Sequence, residues 1–136
     1  MTRLIKRAYN QRDMEAIDFL KEHMNEFCDF ADTYMLDWYK DLLDDNEDEW
    51  LRDEYGKPKS DEEIFKMLED KMENNYLIGG YFFCVLNFFD KKGIEFHQSS
   101  LGNEHLYKNI GPFMDRMRKS VIPKLIKYIH ARFEGF

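Results

Sequence analysis

The sequence predicts a mixed α/β (α+β) fold in which helices cover a small, mainly antiparallel sheet. Three observations lead there. Apolar residues recur at steps of three and four from Ile17 to Leu42 and again from Ile64 to Met72, the period of a helix that buries one face. Tyr81 to Leu86 is an unbroken run of residue types that favour strands. Ile94 to Ser99 alternates apolar and polar residues behind a turn that ends in glycine. Residues 1–136 read as a single domain, with an acidic helical segment at 13–73 and a hairpin followed by a helix at 76–136. A chain of this size hides roughly two-thirds of its unfolded surface, enough for a core without metal or disulfide support.

In chain order, the short stretch from Thr2 to Tyr9, with Leu4 and Ile5, is expected as a first strand. Asn10 can cap the helix that follows, and Asp13 would complement its dipole. The stripe Ile17, Leu20, Met24, Phe27, Ala31, Met35, Trp38 and Leu42 predicts one long helix, or two helices broken near Asp29 to Thr33. Gly56-Lys57-Pro58-Lys59 is a loop. Ser60 with Glu63 three residues later forms a capping box, which predicts a helix from about Ser60 to Asn74. Asp90-Lys91-Lys92-Gly93 is expected to turn the hairpin. Gly111-Pro112 opens a last helix with the stripe Met114, Met117, Val121, Leu125, Ile129 and Phe133; Pro123 predicts a kink or break inside it.

Charge is unevenly distributed. Residues 13–73 carry 22 acids and 7 bases, and the remainder carries 5 acids and 13 bases. The acidic segment argues against nucleic acid as a partner and for a basic protein surface. The two cysteines, Cys28 and Cys84, sit in apolar runs and read as buried reduced thiols, and no Cys/His spacing suggests zinc. Residues 1–10 are basic without an apolar stretch, and Tyr76 to Phe89 is too short for a bilayer span. The expected compartment is therefore the cytoplasm, or a virion if the chain is phage-encoded.

The opening Leu4-Ile5-Lys6-Arg7-Ala8-Tyr9-Asn10-Gln11-Arg12-Asp13-Met14-Glu15-Ala16-Ile17 resembles the first strand and helix of the GNAT family of N-acetyltransferases. The expected hairpin is placed like that family's third and fourth strands. Leu101 to Gly111 is similar to its acyl-CoA loop, with Leu106 where the family has Arg or Gln, Asn109 where it has the first glycine, and Gly111 matching. The resemblance implies a partial, truncated GNAT-like topology. It also implies an acetyl-CoA site at Tyr107, Lys108, Asn109, Ile110 and Gly111, in which backbone N–H groups at a helix start would hold the pyrophosphate. Asn109 would take the left-handed backbone of the glycine it replaces.

Glu95 and His97, two apart on the expected strand, would share a face and are the candidate general bases. Trp38 and Trp50 flank the acids Asp44, Asp45, Asp48 and Glu49, a combination suited to binding a protein partner through aromatic anchors. No metal site is expected, because the His23, Glu22 and Glu26 helix has no matching second helix. The expected function is a non-catalytic GNAT-like protein that works by protein–protein binding or self-assembly, of the kind found among phage accessory proteins. The alternatives are a minimal acetyl-CoA-dependent N-acetyltransferase completed by oligomerisation, and an acidic immunity protein that covers a basic toxin. No cofactor is expected outside the enzyme alternative.

Overall fold

The computed structural model describes residues 13–74, 80–96 and 100–136, with the side chains of residues 100–102 left aside. In chain order the helices are α1 (residues 13–22), α2 (Met24–Asp45), α3 (Asp61–Asn74), α4 (Tyr81–Lys91), α5 (Ser100–Tyr107), α6 (Ile110–Arg116) and α7 (Ile122–Arg132). Two π turns, Glu47–Leu51 and Met117–Val121, complete the set. The described residues contain no β-strand, and their β-type pairing is an isolated antiparallel bridge between Arg52 and Pro58. The α/β class is therefore overturned in favour of a helical fold. The GNAT-like resemblance falls with it, because that fold is built on a sheet. The stretch expected as a first strand, Thr2 to Tyr9, lies outside the described residues.

The expected hairpin fails for a readable reason. The aromatic run continues to Phe89, and its buried members are Tyr81, Cys84, Val85, Phe88 and Phe89. That spacing is i, i+3, i+4, i+7, i+8, a helical face, and it outranks the strand preference of single aromatic residues. The expected turn is instead the C-terminal cap of α4. Gly93 takes φ +70°, its N–H donates to the Asp90 carbonyl at 3.1 Å, and the Ile94 N–H donates to the Phe89 carbonyl at 2.8 Å. This is a Schellman closure, which uses glycine for its left-handed residue. Glu95 and Phe96 continue beyond it without strand pairing.

Where the sequence carries helical signals, the helices follow them. Ser60 Oγ accepts the Glu63 N–H at 3.2 Å, while Glu63 Oε1 accepts the Ser60 N–H at 3.2 Å, so the capping box is formed. The break in the long first pattern falls at His23 rather than near Asp29 to Thr33. His23 leaves helical geometry with φ −113° and ψ 31°, its ring stacks on Phe19 at 4.1 Å, and its Nδ1 lies 3.0 Å from the Phe19 carbonyl. In the C-terminal helix the stripe Met117, Val121, Leu125, Ile129 advances in steps of four, each overshooting a straight α-helix by about 40°. The π turn just before Pro123 takes up that overshoot. It also re-registers the backbone where proline has no N–H to donate, with the Ile122 N–H reaching the Met117 carbonyl. The chain stays helical through this position, so a π turn stands there and not a break.

Helix α2 is the spine, packing on α4, on α6 and α7 and on the Glu47–Leu51 turn, while α3 closes the other side of α7. Phe27 sits at the centre, with ring centroids 5.3 Å from Phe88, 5.9 Å from Phe113 and 6.3 Å from Tyr81. Truncating such a residue to alanine costs about 3–5 kcal/mol. The first π turn carries Trp50 and Leu51 inward, leaving Trp50 6% exposed with the Lys71 ammonium 4.2 Å above its ring. Among the described residues no helix is long and apolar enough to cross a membrane.

Candidate functional site

The charge asymmetry seen in the sequence is largely settled within the chain. The last helices place their bases on acids of α2 and α3. Arg116 Nη1 reaches Asp29 Oδ1 at 3.0 Å and Asp32 Oδ2 at 3.5 Å, and it also donates to the Cys28 carbonyl at 3.4 Å. Asp32 further accepts from Ser120 Oγ at 2.7 Å and pairs with Lys124 at 3.4 Å. Arg118 pairs with Glu69 at 2.6 Å, and Asp44 receives both the Tyr128 hydroxyl at 2.7 Å and Arg132 at 3.4 Å. His130 pairs with Asp61 at 2.8 Å, a contact that raises the imidazole pKa. Four of the six lysines and arginines from Arg116 to Arg132 thus neutralise acids of the fold, while Lys119 and Lys127 stay exposed without an ion pair among the described residues.

Several acids of α2 and the turn after it remain outward. Asp37, Asp41 and Asp45 are exposed at steps of four on α2, which aligns them on one face at about 6 Å of rise apart. Asp48 and Glu49, exposed on the π turn, extend the ridge beyond the end of α2. None of these five makes an ion pair among the described residues.

Beside the ridge, α2 carries a second stripe, Phe30, Tyr34 and Trp38, also at steps of four and half-buried. The rings form a ladder, with Phe30–Tyr34 centroids 5.3 Å apart and 18° from parallel and Tyr34–Trp38 at 5.4 Å. Trp38 meets Phe83 edge-on at 4.9 Å, and Phe30 meets Phe88 at 5.6 Å. Between this ladder and the end of α4 runs an open groove of about 570 Å³, with Asp37 and Glu26 on one wall and Lys91 and Lys92 on the other. Lys92 pairs with Glu26 and holds that carboxyl below its usual pKa, chiefly through their hydrogen bond. Burial pushes the Tyr34 phenol up to about 12, so its ring serves the groove as an uncharged surface.

The residues singled out in the sequence are scattered. Glu95 is exposed in the stretch after α4, and His97 lies outside the described residues. The expected acyl-CoA loop is a tight link between two helices. Tyr107 ends α5 and donates its hydroxyl to Glu73 at 2.9 Å, while Ile110 and Gly111 begin α6. Asn109 has φ −104°, not the left-handed value, and its side chain donates to the His105 carbonyl at 2.9 Å. Of the partner-binding set, Trp38, Asp45, Asp48 and Glu49 remain near the outward face. Trp50 belongs to the core and Asp44 is held by Tyr128 and Arg132. Cys28 and Cys84 are both buried, burial raises both thiols, and no group of three metal-ligating side chains occurs among the described residues.

The groove was missed in the sequence because Phe30 and Tyr34 fall outside the main apolar stripe. Their spacing of four with Trp38 was the available signal, a second apolar face on a helix that already had one. The chain matches no protein-family model, no curated protein and no solved structure in these comparisons.

Proposed function

We propose that this protein is a helical binding module whose outward α2 face takes a basic surface of a partner protein. The supporting observation is the fate of the charges. Four of the six lysines and arginines between residues 116 and 132 pair with acids of the fold, yet Asp37, Asp41 and Asp45 stay aligned and unpaired among the described residues. Like charges at a spacing of four destabilise a helix by about 0.2–0.5 kcal/mol per pair. A basic partner would relieve that repulsion, and the neighbouring aromatic ladder offers apolar contact area of the kind that anchors interfaces.

The reading is tested by binding a basic probe, a nine-residue Gly/Ser peptide carrying four lysines, to the full chain and to its Asp37→Lys/Asp41→Lys/Asp45→Lys variant. Association with the wild type that weakens steeply between 50 and 300 mM salt, over which the Debye length falls from about 14 Å to about 6 Å, and that vanishes in the variant, supports it. Equal binding by both chains, or none by either, refutes it.

A further inference from the structure

We infer that the groove between α2 and α4 is the seat for an arginine side chain of that basic partner, an inference that rests on the binding reading above. The occupant follows from what the groove already holds. Its walls carry two lysines of the chain itself, and both lie over aromatic faces, Lys91 at 5.4 Å from the Phe30 centroid and Lys92 at 5.8 Å from Phe88. One of them is completed by a carboxylate, Lys92 with Glu26. The groove therefore recognises cations by an aromatic face and an acid together, a pairing well suited to ammonium and guanidinium groups.

That pattern recurs further along α2, without its cation. Tyr34 stacks on Phe30, their centroids 5.3 Å apart and the rings 18° from parallel, and it lines the same groove as Thr33 and Asp37. Asp37 stands three residues beyond Tyr34, on the neighbouring turn of the helix, and makes no ion pair among the described residues. A guanidinium laid on Tyr34 would complete the row begun by Lys92 and Lys91 while pairing with Asp37. Arginine fits better than lysine because it is planar, more weakly hydrated and able to stack and to bind a carboxylate with two N–H groups at once. The charge of the surroundings agrees, since Asp37 also heads the acidic ridge of Asp41 and Asp45.

The experiment compares two nine-residue Gly/Ser peptides on the full chain, one with four lysines and one with a central lysine replaced by arginine. Binding is followed by nuclear magnetic resonance of the α2 and α4 amides and by Trp38 fluorescence. The arginine peptide is expected to bind about two- to fivefold more tightly, the range of one cation–π contact in an open site. Tyr34→Leu is expected to erase that preference and leave the lysine peptide's affinity unchanged. Lys91→Gln/Lys92→Gln, which empties the occupied end, is expected to strengthen arginine-peptide binding. Lys66→Gln/Lys127→Gln, with the same net charge, is expected not to do so, and this pair reports even if Tyr34→Leu does not fold. Equal affinity for the two peptides, or equal effects of the two lysine pairs, overturns the groove assignment. If the peptides also remain sensitive to Asp41→Asn/Asp45→Asn, the ridge reading stands without the groove; if neither peptide binds, both readings fall.

Discussion

Tyr39 and Tyr81 bury the same phenol in opposite circumstances. Both are fully buried, and burial raises both phenols well above their ordinary pKa. Tyr81 donates its hydroxyl to the Leu106 carbonyl at 2.7 Å, whereas the Tyr39 hydroxyl has no hydrogen-bond partner. Phenylalanine at each site removes one oxygen. At Tyr81 the change deletes a net hydrogen bond worth about 1 kcal/mol. The cost stays at that level because the Leu106 carbonyl still accepts the Asn109 N–H at 2.9 Å and is not orphaned. At Tyr39 the change removes an unsatisfied buried group, whose desolvation costs about 1–3 kcal/mol, against a small loss of contact around the missing atom. Tyr39→Phe is therefore expected to stabilise by about 1 kcal/mol and Tyr81→Phe to destabilise by about 1 kcal/mol. With a urea m-value of about 2 kcal/mol/M, the two midpoints should lie about 1 M apart, on either side of the wild type. Urea titration followed by circular dichroism at 222 nm reads this directly. A Tyr39→Phe midpoint at or below that of the wild type refutes the reasoning, because it would mean that the hydroxyl is satisfied.

Three further expectations follow from the same contacts. Asp32→Ala leaves Arg116, Ser120 and Lys124 without their shared acceptor and should lower stability by about 1–3 kcal/mol, more than Asp45→Ala, which should change it by less than about 0.5 kcal/mol in the same titration. His130 has its pKa raised above 6.5 by Asp61, so its pairing stabilises the fold below that ordinary value and the contribution is lost as pH rises through the raised one. Proton resonances of His130 should titrate above pH 6.5 in the wild type and fall back towards it in Asp61→Asn, and stability of the wild type should decline across that window more than in the variant. Cys28 and Cys84 should both resist a thiol reagent in the native protein and both react in urea, because burial keeps their thiolates scarce and covered.

Much of the helical skeleton was legible before any coordinates. The Ser60–Glu63 box placed the start of α3, and the stripes beginning at Ile17 and Met114 named ten of the buried core residues. The failures have definite causes. From Tyr81 to Leu86, residue preference and residue spacing point to different structures, and six residues are too few for the spacing to decide. Extending the window to Phe89 reveals the helical face. Gly93 marked the end of an element, but a glycine can end a helix as well as turn a hairpin. The acyl-CoA loop at 106–111 rested on a resemblance to a family whose fold is built on a sheet, so it lost its basis when the described residues formed no strand. The groove was hidden because Phe30 and Tyr34 had to be read against α4, and no local pattern says which helix lies beside them.

By itself, the sequence determined the local terms: the periods of the apolar faces, the capping box of α3, the glycine that closes α4 and the excess of acid between residues 13 and 73. These depend on neighbours within a few residues, where geometry is short-ranged and repeats. Only the tertiary structure decided which of those acids have partners. Arg116 meets Asp29 and Asp32 across more than 80 residues, and Arg132 meets Asp44 across a similar span. Coulomb attraction acts over a few ångströms in space whatever the separation along the chain. Once packing had set Arg116, Arg118, Lys124 and Arg132 against α2 and α3, the acidic segment ceased to be one undivided surface. Its inner side became a seam of the fold, while on its outer side Asp37, Asp41, Asp45, Asp48 and Glu49 stayed without ion pairs among the described residues.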